Sequence, residues 1–329
     1  MKEIKITQGE QNQRLDKFLQ KYFNTAPKSF IYKMLRKKRI KHNGKKADGS
    51  EIIQDGDTLT MYLSDETMDS FMEEKPVEEA ERHFGIVYED ENVLVVSKPA
   101  GLLVHPESSE DKNTLIDQIL FYLYEKGEYA PSKETTFTPA ICNRLDRNTG
   151  GIVLAGKNLQ SVQAINKAIA DRHIDKFYIT MVKGEMKEPA EFFGYHIKNE
   201  ETNQVRVLKK EVPGASKIYT KVKPIKVKDN FSLLEVELIT GKSHQIRAHL
   251  KAMGYYVVGD RKYGDERLNR KFRDKFGLNN QFLFAYRVVW NEDDGYLGYL
   301  AGHEFFAKLP DNLESIRRAY FFNDESIEM

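Results

Sequence analysis

Residues 143–151 read NRLDRNTGG, which sets Asp146 between Arg144 and Arg147 at the mouth of a glycine turn. A surface loop with a locally paired carboxylate is one reading of such a stretch. The other is chemical. A lone carboxylate kept ionised by guanidinium neighbours suits a nucleophile, or a base acting on a sugar. Two further segments carry groups that suit such a centre: KFYIT at 176–180, with Tyr178 on a strand-like run, and the basic segment GKSHQIRAHL at 241–250.

Several other chemistries lack their residues. The chain has no GxxxxGK[ST] phosphate loop, no dinucleotide fingerprint and no Gly-x-Ser-x-Gly elbow. His244 and His249 are five apart, so they do not share a helix face as an HExxH pair does. The one cysteine, Cys142, supports neither a disulfide framework nor a thiolate zinc site, and it has the character of a packing residue. We therefore expect catalysis without cofactor or metal.

The elements that must hold these groups show in the apolar spacing. Two strands are expected at 84–88 and 93–97 around a turn at 89–92, then a helix capped by Thr114 with Leu115, Ile119 and Leu123 on its inner face. A helix over 160–170, a strand over 176–182 and a strand over 231–239 follow; the last runs straight into the basic segment, where Ile246 and Leu250 turn inward. The glycine turn after Asp146 is expected to let backbone approach a ligand closely. Strands and helices mix without a regular βαβ rhythm, so the fold class is α+β.

At 329 residues the chain has length for more than one domain, and 40% hydrophobic against 31% charged residues describes a globular protein. No apolar window reaches the roughly 20 residues that span a bilayer, and the first residues carry no signal-peptide core, so a cytoplasmic place with no membrane partner is expected. The formal net charge of +1 hides a strong segregation. Residues 1–64 hold 14 basic and 7 acidic side chains, whereas residues 65–82 hold 8 acidic and 2 basic ones. This pattern predicts a basic module over 1–64, a flexible acidic tether over 65–82 and a neutral body over 83–329. In the module, apolar residues at 15, 18, 19, 22 and 23 mark one helix, a second starts near Pro27, and Asn43-Gly44 marks a hairpin. The second helix ends in Arg36, Lys37, Lys38 and Arg39, a cluster suited to a phosphate backbone.

The module resembles the small alpha-L RNA-binding domain, on RLDKFL at 14–19, SFIYKML at 29–35 and IKHNGK at 40–45. The body resembles the RluA/RluC/RluD family of pseudouridine synthases. NRLDRNTGG is similar to that family's H-R-L-D-x-x-T-S-G, KFYIT to its tyrosine motif, and GKSHQIRAHL to its G-R-T-H-Q-I-R-V-H-L. The extension from Asp265 to Gly277 and beyond looks most like the large-subunit rRNA enzymes of the RluC type. Departures stand at Asn143 for the usual His, Gly150 for Ser, Lys242 for Arg, Ser243 for Thr, and Phe284 for a His.

The resemblance implies a central mixed, largely antiparallel sheet and the isomerisation of uridine to pseudouridine in RNA, most naturally large-subunit rRNA, by a monomer. It implies that Asp146, Tyr178 and Arg247 are catalytic. Asp146 would attack the anomeric carbon or remove the neighbouring proton. Arg247 would pair with it, and Tyr178 would stack on the uracil and assist proton transfer at carbon-5. Arg144 would fill the space of the extruded base or hold its phosphate. His244 and Gln245 are further expected RNA contacts. The alternatives are the same reaction on tRNA, a non-catalytic RNA-binding assembly factor, and a nucleoside hydrolase. The last normally needs a second carboxylate.

Overall fold

The computed structural model describes residues 1–7, 9–73, 76–131, 136–199, 204–291 and 295–322. The chain opens with β1 (Lys2–Lys5), β2 (Gln13–Arg14), α1 (Leu15–Tyr22), α2 (Lys28–Arg36), β3 (Ile40–His42), β4 (Lys45–Lys46), β5 (Ile52–Ile53), β6 (Thr58–Met61) and α3 (Asp65–Asp69). The apolar stripe of α1 is fully buried at Leu15, Phe18 and Leu19, against Ile31 and Leu35 of α2. Pro27 stands at the N-cap of α2, where its missing N–H costs nothing. Asn43 and Gly44 both take positive φ, 49° and 73°, as a tight β3–β4 hairpin requires.

The acidic segment departs from the expected tether. Its first part is helix α3, capped by the Ser64 side chain, and Met68, Phe71 and Met72 join the apolar core of the N-terminal unit. The apolar positions at 68, 71 and 72 have helical spacing, and their burial outweighs the surrounding acids. This unit touches the body where Thr136 Oγ1 donates to Glu10 at 2.6 Å and Gln163 Nε2 donates to the Asn12 carbonyl at 3.1 Å.

The body runs β7 (Gly85–Glu89), β8 (Val93–Lys98), α4 (Leu115–Glu125), β9 (Ala140–Ile141), β10 (Gly150–Gly156), α5 (Leu159–Ala170), β11 (Ile174–Lys183), β12 (Ala190–Asn199), β13 (Gln204–Leu208), β14 (Ser216–Lys228), β15 (Phe231–Leu238), α6 (Gln245–Ala252), β16 (Tyr256–Val257), α7 (Glu266–Phe276), β17 (Leu283–Trp290), β18 (Glu304–Phe306) and α8 (Asp311–Phe321). The main sheet has the order β13-β12-β14-β15-β11-β17-β10-β8-β7. Its ladders are antiparallel except β10–β17, which is parallel, so the sheet is mixed and largely antiparallel as expected. One apolar core lies beneath α5, α7 and α8 around Trp290 and Phe272, and a second lies beneath α4 and α6 around Leu234 and Val236.

The glycine turn serves the sheet rather than a ligand. Gly150 and Gly151 are buried in β10, and Gly151 has φ +118°. A Cβ there would lie 2.2 Å from the Ala285 carbonyl oxygen of β17. Only glycine lets the two parallel strands approach this closely.

Candidate active site

Asp146 lies in the loop between β9 and β10, on the wall of a cleft of about 980 Å³. The loop is fixed from both ends. Asn143 Oδ1 accepts from the Leu154 amide at 2.7 Å, and its amide group donates to the Ile152 carbonyl at 3.4 Å, so its side chain extends the β10 ladder. On the other side, the fully buried Lys98 donates to the carbonyls of Pro99, Leu102 and Arg147 at 3.0, 2.7 and 3.0 Å. Burial pushes the Lys98 amine down to about 7, and the charge of Asp146 opposes that. Three carbonyl acceptors match the three donors of an ammonium, so the geometry fits the charged form.

The cation that meets Asp146 is not one of its sequence neighbours. Arg144 and Arg147 are exposed, and Arg147 Nε donates to the Gly101 carbonyl. Instead Arg247, on the first turn of α6, places Nη1 2.9 Å from Asp146 Oδ2. The same guanidinium grips Asp260 through Nε at 2.6 Å and Nη2 at 2.9 Å. Asp260 is wholly buried, and its Oδ1 also accepts from the amides of Lys262 and Tyr263. Burial alone would depress the charge on Arg247, but the hydrogen bonds and charges of Asp260 and Asp146 outweigh it and raise its pKa. Asp146 therefore faces a permanently charged, immobile guanidinium and keeps 24% of its side chain exposed to the cleft.

Tyr178 lines the same cleft from β11 with only 4% of its surface exposed. Burial, and then the charge of Asp146, push its phenol up. In the resting site it is therefore a protonated hydroxyl on a buried aromatic ring. Register shifts by one residue between β11 and β17 at Phe177/Tyr178, so β17 bulges beside the site. Cys142 also lines the cleft, and burial pushes its thiol up to about 12, as expected for a packing residue.

The expected RNA contacts divide. Arg144 is exposed on the cleft, and Arg36, Lys37, Lys38 and Arg39 are exposed on the N-terminal unit. His244 sits in the cleft with φ +55°. The Tyr263 hydroxyl accepts from the Val205 amide and shares a hydrogen bond with His244 Nδ1 at 3.0 Å. Burial holds the His244 pKa down. Gln245 departs from expectation: it is buried, donates to the Tyr219 carbonyl and Thr220 Oγ1, and accepts from Thr240 and the Lys242 amide. Its amide holds the start of α6 in place and has nothing left for RNA.

Residues 92–252 match the family described as RNA pseudouridylate synthase. An RNA pseudouridine synthase of Mycoplasma capricolum, named as uncharacterised, is 32% identical over 312 residues, 93% of this chain and 97% of its own. The chain belongs to the RNA pseudouridine synthases. Ribosomal large subunit pseudouridine synthase C of Vibrio vulnificus is 28% identical over 289 residues, 87% of each chain. Among solved structures, human RNA pseudouridylate synthase domain containing 4 aligns with a TM-score of 0.56 at 19% identity, over 71% of this chain and 92% of that one, and shares the fold. The synthase is thus an isomerase that converts uridine to pseudouridine in RNA.

Sequence reasoning misses three groups that shape the Asp146 cleft: Asp260, Asn143 as a strand-extending amide, and Lys98. Asp260 has a local signal, an acid inside the glycine-bounded turn 259–264. Among the described residues no helix is long and apolar enough to cross a membrane, and no cluster of three or more His, Cys, Asp or Glu side chains is placed to hold a metal ion.

Proposed function

We propose that this synthase modifies uridines of large-subunit ribosomal RNA as a cytoplasmic monomer, with Asp146, Arg247 and Tyr178 as its catalytic groups. The observation that carries the reading is the Asp146–Arg247 pair at 2.9 Å, held in the cleft by buried Asp260. An extruded uridine entering the cleft meets a carboxylate whose orientation is set in advance, so little reorganisation is needed during reaction. Asp146 acts on the ribose. Tyr178 packs its ring against the uracil and assists proton transfer at carbon-5. Arg144 and Arg147, both exposed on the cleft, supply cations for the phosphates around the flipped nucleotide.

The N-terminal unit, in this reading an alpha-L RNA-binding domain, adds the basic cluster Arg36, Lys37, Lys38 and Arg39. The rRNA assignment rests on relatives named as large-subunit enzymes, including those of Vibrio vulnificus and Escherichia coli. The test uses total RNA from cells lacking the gene, incubated with the purified enzyme and mapped chemically for pseudouridine. New signals should appear at discrete large-subunit positions and be absent with Asp146→Asn. Signals confined to tRNA would move the substrate, and signals that persist with Asp146→Asn would remove Asp146 from its role.

A further inference from the structure

Lys176 stands two residues before Tyr178 on β11, so both side chains leave the same face of the sheet and line the same cleft. It is half-buried, and the apolar residues Ile141, Cys142, Ile169 and Leu238 line the same cleft. The other buried cations of the site are fully engaged: Arg247 with two carboxylates, Lys98 with three carbonyls. Among the described residues the Lys176 ammonium makes no hydrogen bond or ion pair. Burial lowers its pKa, and Asp175, the preceding residue along the strand, opposes that. An ammonium drawn out of water without a partner is unfavourable until something negative or strongly polar arrives.

The isomerisation supplies such a group. The ribose C1′–N1 bond breaks with its electron pair leaving on N1, and the negative charge spreads over N1, O2 and O4 of the uracil. Carbon-5 then bonds to C1′, loses its proton, and N1 gains one, so no atom or electron is left over. We propose that Lys176 is a catalytic residue that donates to a uracil carbonyl oxygen and stabilises the anion formed when the glycosidic bond breaks. A phosphate partner fits less well. Lys176 lies beside the deeply buried Tyr178, whereas Arg144, Arg147, Lys242, Arg261 and Lys262 are the exposed cations of the same cleft.

This inference rests on the pseudouridine synthase activity, so the wild-type rate is the control. The full-length enzyme is assayed in single turnover at saturating RNA, on an RNA it modifies and on the same RNA carrying 5-fluorouridine at the target. Loss of the parent nucleoside is read by nuclease digestion and mass spectrometry. Lys176→Met should slow uridine conversion by roughly 10²–10³-fold, the size seen when one preorganised charge-stabilising donor is removed. RNA affinity should stay within about threefold, and Lys176→Arg should recover part of the rate. Fluorine itself stabilises the uracil anion, so the deficit of Lys176→Met should shrink at least about tenfold on the fluorinated RNA. An equal deficit on both RNAs would show a merely structural role. Weaker RNA binding with an unchanged saturated rate would place a phosphate at Lys176. Either result overturns the proposal, as does an unchanged rate. A wild type silent on every RNA offered would instead overturn the activity beneath it, and the inference with it.

Discussion

Arg247 and Asp260 form a two-pronged ion pair, Nε to Oδ2 at 2.6 Å and Nη2 to Oδ1 at 2.9 Å, and this fork fixes Nη1 as the nitrogen that meets Asp146. Asp260→Asn keeps the shape but removes the charge facing a buried guanidinium. Breaking a buried pair from one side costs about 3–5 kcal/mol. Urea unfolding should show a loss of that order, and turnover should fall by about 10²-fold because Arg247 no longer holds one orientation. A variant as stable and active as the parent would mean that Arg247 is oriented by something else.

The same residue predicts an acid limb. Burial pushes the Asp260 carboxyl up, but Arg247 and the amides of Tyr263 and Lys262 outweigh it, and its pKa lies below the ordinary value. A group with a depressed folded pKa contributes stability above its unfolded value, about 3.9, and loses it as pH falls through the folded one. The stability gap between parent and Asp260→Asn should be flat above about pH 5 and narrow below about pH 4. Chemical unfolding across that range reads the gap directly, and a constant gap down to about pH 3 would contradict the assignment.

Two departures from the family pattern are partners in space. Gly150 stands where serine is usual and Phe284 where histidine is, and they face each other in the β10–β17 register. A Cβ at Gly150 would lie 3.1 Å from the Phe284 ring and 3.1 Å from the Lys98 carbonyl oxygen. Gly150→Ser alone should cost about 1–3 kcal/mol as overpacking. Adding Phe284→His should recover about 1 kcal/mol of that, a coupling that a double-mutant cycle measures. Strict additivity would mean the two departures are unrelated.

The basic cluster predicts a salt dependence. Replacing Arg36, Lys37, Lys38 and Arg39 together by glutamine should flatten the slope of log K against log salt by about 0.9 for each duplex contact removed. The saturated single-turnover rate should stay near the parent's, since none of these residues lines the cleft. An unchanged slope would show that the cluster is solvated even in the complex.

Asp146, Tyr178 and Arg247 are legible because each sits in a short local motif, and the structure brings all three to one cleft. Asp260 is not, because its partner is 13 residues away and what marks it is burial, which the sequence does not display. Gln245 misleads for a related reason. A polar residue amid basic ones looks solvent-facing, but the helix start turns it toward the backbone of β14. The glycine pair suggests open space for a ligand, yet a neighbouring strand fills it. The acidic composition hides α3 because the eight acids in 65–82 outnumber the apolar residues that reach the core, Met68, Phe71 and Met72, though not in packing. The meander β12–β14 leaves little trace in the sequence. In β12 the outer face carries the exposed Phe193 while the buried face carries Gly194 and His196, so period-2 patterning is faint there.

The place of β17 in the sheet bears on how the enzyme is made. Strands β7, β8 and β10 form one half-sheet and β11 to β15 another, and β17, residues 283–290, is the strand wedged between them. Asp146 belongs to the first half, while Tyr178 and Arg247 go with the second. On the ribosome both halves emerge with an open inner edge, and neither can close on the other until β17 has left the exit tunnel. Residues 184–282 separate β11 from β17. At about 5–20 residues per second, that stretch takes roughly 5–20 s to synthesise. For that time the open inner edges of β10 and β11 are held apart as templates for wrong partners. A nascent chain cut short before β17 is therefore both aggregation-prone and inert, and activity marks a chain that has been synthesised at least through Trp290.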